Sequence, residues 1–204
     1  MHEHAVAALV PAIAQRGYAV ARDALEPYIV EGLRSRAGEL DCTGAFAPAL
    51  VGRGEARLAQ REIRGDRIAW LGTAQSPAEA ALGAWLEALR MACNRDLFLG
   101  LEEFEGHYAI YPPGARYARH RDRFRDDDAR VLSCVLYLNE AWRASDGGAL
   151  RLYTSAEDSV DVLPQGGTFV AFLAAEFDHE VLAASRERVA FTGWYRRRPL
   201  AAPC

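Results

Sequence analysis

The amino-acid sequence predicts an α+β fold that is mainly β: a double-stranded β-helix (jelly roll) braced by N-terminal helices. Three observations lead there. Apolar residues recur at helical spacing through the first hundred residues. From about Glu103 they gather instead into short runs rich in Val, Ile, Tyr and Phe, separated by Gly, Pro and Asp clusters, the even punctuation of a jelly roll. A chain of 204 residues, half of them hydrophobic, needs one core and no second. The expected organisation is one domain over residues 1–204, with 1–100 mainly helical support and 101–198 the jelly-roll core.

Val6, Leu9, Val10 and Ile13 mark the apolar face of a first helix, which Gly17 stops. Tyr18-Ala19-Val20 is extended and leads to a second helix carrying Leu25, Ile29, Val30 and Leu33, with Gly38 as its expected end. Residues 43–66 mix Gly, Arg and Glu with few apolar anchors, which predicts a flexible or hairpin segment able to close over a site as a mobile lid. Ser76-Pro77-Ala78-Glu79 combines a cap residue, a first-turn proline and an early acid. It opens a third helix to about Asn94 through Ala81, Trp85, Leu86, Leu89 and Met91. In the β region, Gly147-Gly148 and Gly166-Gly167 read as turn glycines without phosphate-loop context. No internal repeat or low-complexity tract interrupts the pattern.

A formal charge of −4 gives no general reason to expect nucleic-acid binding. The chain has no lysine, and all 24 of its basic side chains are arginine, so a buried carboxylate must be met by the planar guanidinium fork. Cys42, Cys93, Cys134 and Cys204 are widely spaced and read as reduced thiols of a cytoplasmic protein. No stretch approaches a membrane span, and His2 and His4 read as part of a mobile terminus.

The chemistry is carried by His120-Arg121-Asp122 and, far downstream, His179. Two imidazoles and one carboxylate are the ligand set of a facial triad that leaves iron positions open for oxygen chemistry. If residues 120–122 are extended, His120 and Asp122 leave one face of the strand together, and His179 closes the triad from a partner strand. His107, alone in "EGHYAIY", reads as a hydrogen-bonded structural residue and is excluded from the metal set.

The ordered blocks "REIRGDRIAWL" (61–71), "YPPGARYARHRD" (111–122), "RVLSCVLYLNEAW" (130–142), "DGGALRLY" (146–153), "LPQGGTFVAF" (163–172) and "HEVLAASRERVAFTGWYRRR" (179–198) resemble the Fe(II)/2-oxoglutarate-dependent oxygenases. Within them the chain is most similar to the prolyl 4-hydroxylase branch, related to the oxygen-sensing prolyl hydroxylases that act on hypoxia-inducible factor. The resemblance implies Fe(II) held by His120, Asp122 and His179, 2-oxoglutarate as cosubstrate, O2, and ascorbate as a stimulant. It assigns the far carboxylate of 2-oxoglutarate to Arg188, with Tyr137 donating its hydroxyl and Thr192 lining the pocket. Tyr111 resembles a further pocket tyrosine, with one residue fewer before His120.

Each assignment has a plainer rival: an exposed strand arginine for Arg188, a core position for Tyr137, and core packing for Trp194. Trp194 and Arg130 match residues beside the iron centre and near the opening for the target polypeptide. Arg130 could equally pair with the acidic run Asp126-Asp127-Asp128. The terminal Arg196-Arg197-Arg198 reads as an exposed strand end.

The implied reaction couples decarboxylation of 2-oxoglutarate, to succinate and CO2, to hydroxylation of a C–H bond. The expected target is a prolyl residue of a protein, a translation factor in the bacterial-type relatives, with neither nucleic acid nor membrane as partner. Three other readings stand beside it: a hydroxylase of a free amino acid or small metabolite, a non-catalytic metal-binding or sensing jelly roll, and a cupin-like metalloenzyme that uses no 2-oxoglutarate.

Overall fold

The computed structural model describes residues 2–50, 60, 62–73, 75–122 and 129–198. The N-terminal spacing becomes α1 (His2–Arg16), so the terminus that the sequence suggested to be mobile is helical from His2. Val6, Leu9, Val10 and Ile13 are all buried. Gly17, at φ +75°, then turns the chain into β1 (Tyr18–Ala21). A Cβ there would come within 2.8 Å of the Phe177 ring, so glycine alone satisfies both the dihedral and the space.

α2 (Pro27–Cys42) opens on a proline in its first turn, and Leu25 lies buried ahead of it. It does not stop at Gly38. The helical penalty of glycine, about 1 kcal/mol, is outweighed by burial of Ile29, Leu33 and Ala37. The end comes at Thr43, whose N–H and hydroxyl both donate to the Glu39 carbonyl.

α3 (Pro77–Leu97) carries a full capping box: Glu79 N–H donates to Ser76 Oγ at 3.2 Å and Ser76 N–H to Glu79 Oε2 at 2.6 Å. Buried Glu79 also accepts from the Tyr108 hydroxyl at 3.1 Å, which ties the helix start to the sheet. Leu82, Trp85, Leu86, Leu89 and Cys93 form the buried face. Met91 is exposed, because it sits about 200° round the helix from Leu89. The helix also passes Asn94, whose side chain donates to Leu101 O and accepts from Leu101 N–H, both at 2.8 Å, and so anchors the following loop. No helix among the described residues is long and apolar enough to cross a membrane.

The remaining strands are β2 (Ala47–Pro48), β3 (Arg67–Trp70), β4 (Glu103–Tyr111), β5 (Tyr117–His120), β6 (Arg130–Tyr137), β7 (Leu150–Tyr153), β8 (Ser159–Val162), β9 (Phe169–Leu173), β10 (Asp178–Val181) and β11 (Arg188–Arg196). They pair antiparallel into a seven-stranded sheet, β1-β9-β6-β11-β4-β3-β2, and a four-stranded sheet, β5-β10-β7-β8. This is the jelly roll, with three strands from the first hundred residues on the edges of the larger sheet. Ala47 and Pro48 pair with Ile68 and Arg67, so part of segment 43–66 is hairpin-like; residues 51–59 and 61 lie outside the described residues.

Alternation along the strands divides the core into two layers. Tyr108, Leu132, Cys134, Leu136, Phe169, Ala171, Phe191 and Tyr195 pack against the helices. Ala109, Tyr111, Val135, Tyr137, Val170, Phe172 and Ala190 point the other way, toward Leu150, Leu152, Val162 and Val181 of the smaller sheet. The helices thus seal one face of the large sheet, and the space between the sheets holds the polar side chains described next.

Candidate metal centre and anion pocket

β5 and β10 are neighbours in the smaller sheet, with His120 directly opposite His179 and the ring centroids 4.2 Å apart. β5 ends at His120, so Asp122 lies on a bend just past the strand rather than on its face. It nevertheless reaches both rings: Oδ1 is 3.5 Å from His120 Nε2 and Oδ2 is 3.5 Å from His179 Nε2. The three donor atoms all lie within 4.8 Å of one another. Each Nδ1 faces a backbone carbonyl, of Ala118 at 2.9 Å and of Phe177 at 3.4 Å, which leaves both Nε2 lone pairs free to meet a cation beside the carboxylate. Ser133 donates its hydroxyl to Asp122 Oδ2 at 2.7 Å. Tyr117 stacks on His120 at 3.6 Å, and Phe172 meets His179 edge-on at 4.7 Å.

Burial opposes ionisation of Asp122, but His179, His120 and the Ser133 hydroxyl outweigh it and hold the carboxyl well below the usual carboxylate range. Burial pushes His179 down to about 4, with Asp122 opposing. A carboxylate and an uncharged imidazole are the protonation states a metal ligand requires. Two imidazole nitrogens and one carboxylate oxygen, converging with Asp122 and His179 buried and His120 part-buried, fit a divalent iron with coordination positions to spare.

At the other end of the space, Arg188 begins β11 opposite Tyr111 on β4. It is 2% exposed, so it is no surface strand arginine. Its Nε–H donates to Gly148 O at 3.0 Å, and its guanidinium carbon lies 5.1 Å from the Tyr111 ring and 5.0 Å from the Tyr137 ring. Among the described residues, no carboxylate forms an ion pair with it. The Tyr137 hydroxyl is buried without a hydrogen-bond partner; burial raises its pKa and the adjacent guanidinium opposes that. Thr192, on the same face of β11, lines the same cavity. A buried cation beside an unmet hydroxyl is a pocket for a carboxylate.

The cavity has other walls that the sequence did not assign. Arg64 donates to Asp66 through Nε and Nη2, at 2.8 and 3.0 Å, and lies 4.7 Å from the Tyr117 ring. Both line the cavity with Ser133. The signal for the pair was the Arg-Gly-Asp step in "REIRGD", where an i, i+2 spacing sets acid and base side by side. Arg130 donates to Glu105 at 2.8 Å and lies flat on Trp194, 3.5 Å from the ring centroid; the acidic run 126–128 lies outside the described residues. Trp194 is buried and lines the cavity, with Nε1 unpartnered. At the end of β11, Arg196 pairs with Glu105 and exposed Arg198 with Glu102.

His107 departs from expectation. It is buried and lines the same cavity, yet among the described residues neither ring nitrogen has a hydrogen-bond partner, so it is not the hydrogen-bonded structural residue that its strand context suggested. Burial, with Arg64 and Arg130 adding to it, pushes its pKa down to about 3.

Residues 106–196 match the family described as the 2OG-Fe(II) oxygenase superfamily. The chain is 29% identical over 205 residues to prolyl hydroxylase EGLN3 of Homo sapiens, covering 92% of this chain and 81% of that protein. Among solved structures, a prolyl-4-hydroxylase from Pseudomonas putida is 44% identical, with a TM-score of 0.87 over 95% of this chain and 99% of that one. A prolyl hydroxylase from Trichoplax adhaerens, solved with a peptide fragment of the hypoxia-inducible factor oxygen degradation domain, is 27% identical with a TM-score of 0.85, covering 96% of this chain and 90% of that one.

Proposed function

Because the chain belongs to the 2OG-Fe(II) oxygenase superfamily, in its prolyl hydroxylase branch, we propose that it hydroxylates a prolyl residue of a protein, with release of succinate and CO2. The observation that carries this reading is the joint presence, in one cavity, of a converging His120–Asp122–His179 set and a buried Arg188 that has no carboxylate partner among the described residues. Iron together with 2-oxoglutarate would supply the oxygen activation when bound. His120, Asp122 and His179 hold that iron, and Ser133 fixes the carboxylate that faces both imidazoles. Arg188, with Tyr137 and Tyr111 beside it, receives the far carboxylate of 2-oxoglutarate, and Thr192 lines the cavity between that pocket and the metal ligands. Arg130 and Trp194 stand where the target polypeptide enters. Packing of the core layer between the two sheets around the cavity limits water at the reacting bond and holds the target close, which makes the step effectively intramolecular.

The proposed target is a translation factor, and the free thiols Cys42, Cys93 and Cys134 support action in a reducing compartment, the cytoplasm. Mass spectrometry of the host proteome with and without the enzyme tests the reading: prolyl peptides should gain one oxygen only when it is present. Succinate formed on a pool of free amino acids, with no prolyl peptide modified, would favour a small-molecule hydroxylase instead.

A further inference from the structure

His107 is 1% exposed and lines the cavity that holds the metal ligands and Arg188. Among the described residues, neither Nδ1 nor Nε2 meets a hydrogen-bond partner. An uncharged imidazole has one donor and one acceptor, and buried groups of this kind are almost always paired in folded proteins. An imidazole kept unpaired on a cavity wall is therefore a group awaiting a ligand.

Its position along the sheet indicates which ligand. On β11, Arg188 faces Tyr111 and Thr192 faces His107, so four residues separate the guanidinium row from the imidazole row, about 13 Å at ~3.3 Å per residue. That places His107 away from the anion pocket. The next inward-facing row carries Trp194 beside Ser133, which holds Asp122, so His107 is nearly level with the metal ligands. On its other side, β3 sets Trp70 opposite His107, with rings 4.9 Å apart, and Trp70 is 54% exposed. The imidazole thus lies between the cavity and an exposed aromatic ring.

The surroundings of the imidazole are aromatic, with both neighbouring rings tilted against it. Trp70 and Trp194 flank the imidazole, the latter at 5.4 Å, and Trp194 Nε1–H is also buried and unmet. Two donors and one acceptor on an aromatic wall match a peptide backbone, which is planar, carries a carbonyl beside the proline, and offers an N–H from the flanking residue, since proline itself has none.

We infer that His107 hydrogen-bonds the backbone of the target polypeptide next to the hydroxylated proline, its N–H donating to a carbonyl and its other nitrogen accepting from a neighbouring N–H. This rests on the prolyl reading of the site and adds a residue that recognises the main chain rather than any side chain.

The test compares His107→Leu, which removes both nitrogens, with His107→Gln, which keeps an amide donor and acceptor. The probe is a peptide digest of the host proteome, and the prolyl peptide that wild-type enzyme oxidises fastest then serves for kinetics. His107→Leu should raise the peptide KM roughly tenfold or more, while the KM for 2-oxoglutarate moves less than threefold. His107→Gln should recover part of the peptide KM. With no ligand added, His107→Leu should melt at or above the wild-type temperature, because it removes two unmet buried polar atoms. An unchanged peptide KM in His107→Leu, with or without a lowered melting temperature, overturns the inference. A 2-oxoglutarate KM that rises as far as the peptide KM overturns it too, by moving His107 to the cosubstrate. Failure of wild-type enzyme to oxidise any prolyl peptide is a different signature: it removes the proposed function, and this inference with it.

Discussion

Replacing Arg188 by Met tests the anion pocket on two independent readouts. The guanidinium is buried, makes one backbone hydrogen bond to Gly148, and has no carboxylate partner among the described residues. Losing that bond is worth about 1 kcal/mol. Removing an unpaired buried cation returns several kcal/mol of desolvation. Without ligand, the variant should therefore melt no lower than wild type.

With 2-oxoglutarate the order reverses. A charge-assisted contact is worth about 1.5–3 kcal/mol, roughly ten- to a hundredfold in affinity. At a ligand concentration of about 100 times the wild-type Kd, wild type gains about 2.7 kcal/mol. At about 2–4 °C per kcal/mol for a chain of this size, that is a rise of about 5–11 °C. A variant with Kd raised a hundredfold gains about 0.4 kcal/mol, or about 1–2 °C. Melting of the Mn(II)-loaded proteins with and without 2-oxoglutarate, beside the KM from succinate formation, reads both. Equal stabilisation of variant and wild type, or a KM change below threefold, would refute the assignment.

Ser133→Ala removes the hydroxyl that fixes Asp122 and should weaken metal affinity by about ten- to a hundredfold; titration of the apoprotein with Mn(II) checks it, and unchanged affinity counts against that role. His179→Ala removes a ligand and should abolish metal-dependent succinate formation, with metal content measured on the same sample. In the metal-free protein, His107 and His179 have pKa values depressed to about 3 and about 4, below the ordinary histidine value. The unfolded chain thus binds more protons below about pH 6.5, and their contribution, full above that pH, is lost as pH falls toward 4. Each contributes a slope of up to about 1.4 kcal/mol per pH unit, so His107→Leu should flatten the fall in melting temperature between pH 6.5 and 4. An identical slope in the variant would contradict the burial assigned to His107.

Much of the local structure was legible because its causes are local. The Ser76–Glu79 capping box, the proline that opens α3 and the glycine that ends α1 each act within a few residues. Where the reading failed, tertiary packing had overridden propensity: Gly38 stayed helical because Ile29, Leu33 and Ala37 bury around it, and Met91 faced solvent because Leu89 and Cys93 fixed the phase of α3. His107 was misjudged for another reason. Whether a strand histidine finds a partner depends on side chains from β3 and β11, which nothing in "EGHYAIY" records.

By itself the sequence determined the donor chemistry and the family: two imidazoles, one carboxylate, an arginine beyond them, and ordered blocks that resemble the 2-oxoglutarate-dependent oxygenases. Only the tertiary structure decided that β5 and β10 are neighbours with His120 opposite His179, that Asp122 reaches both from a bend, and that Arg188 is buried beside two tyrosines. The physical reason is that residue type sets what a side chain can bind, whereas convergence depends on strand pairing between distant segments, and pairing registers are fixed by the packing of the whole core.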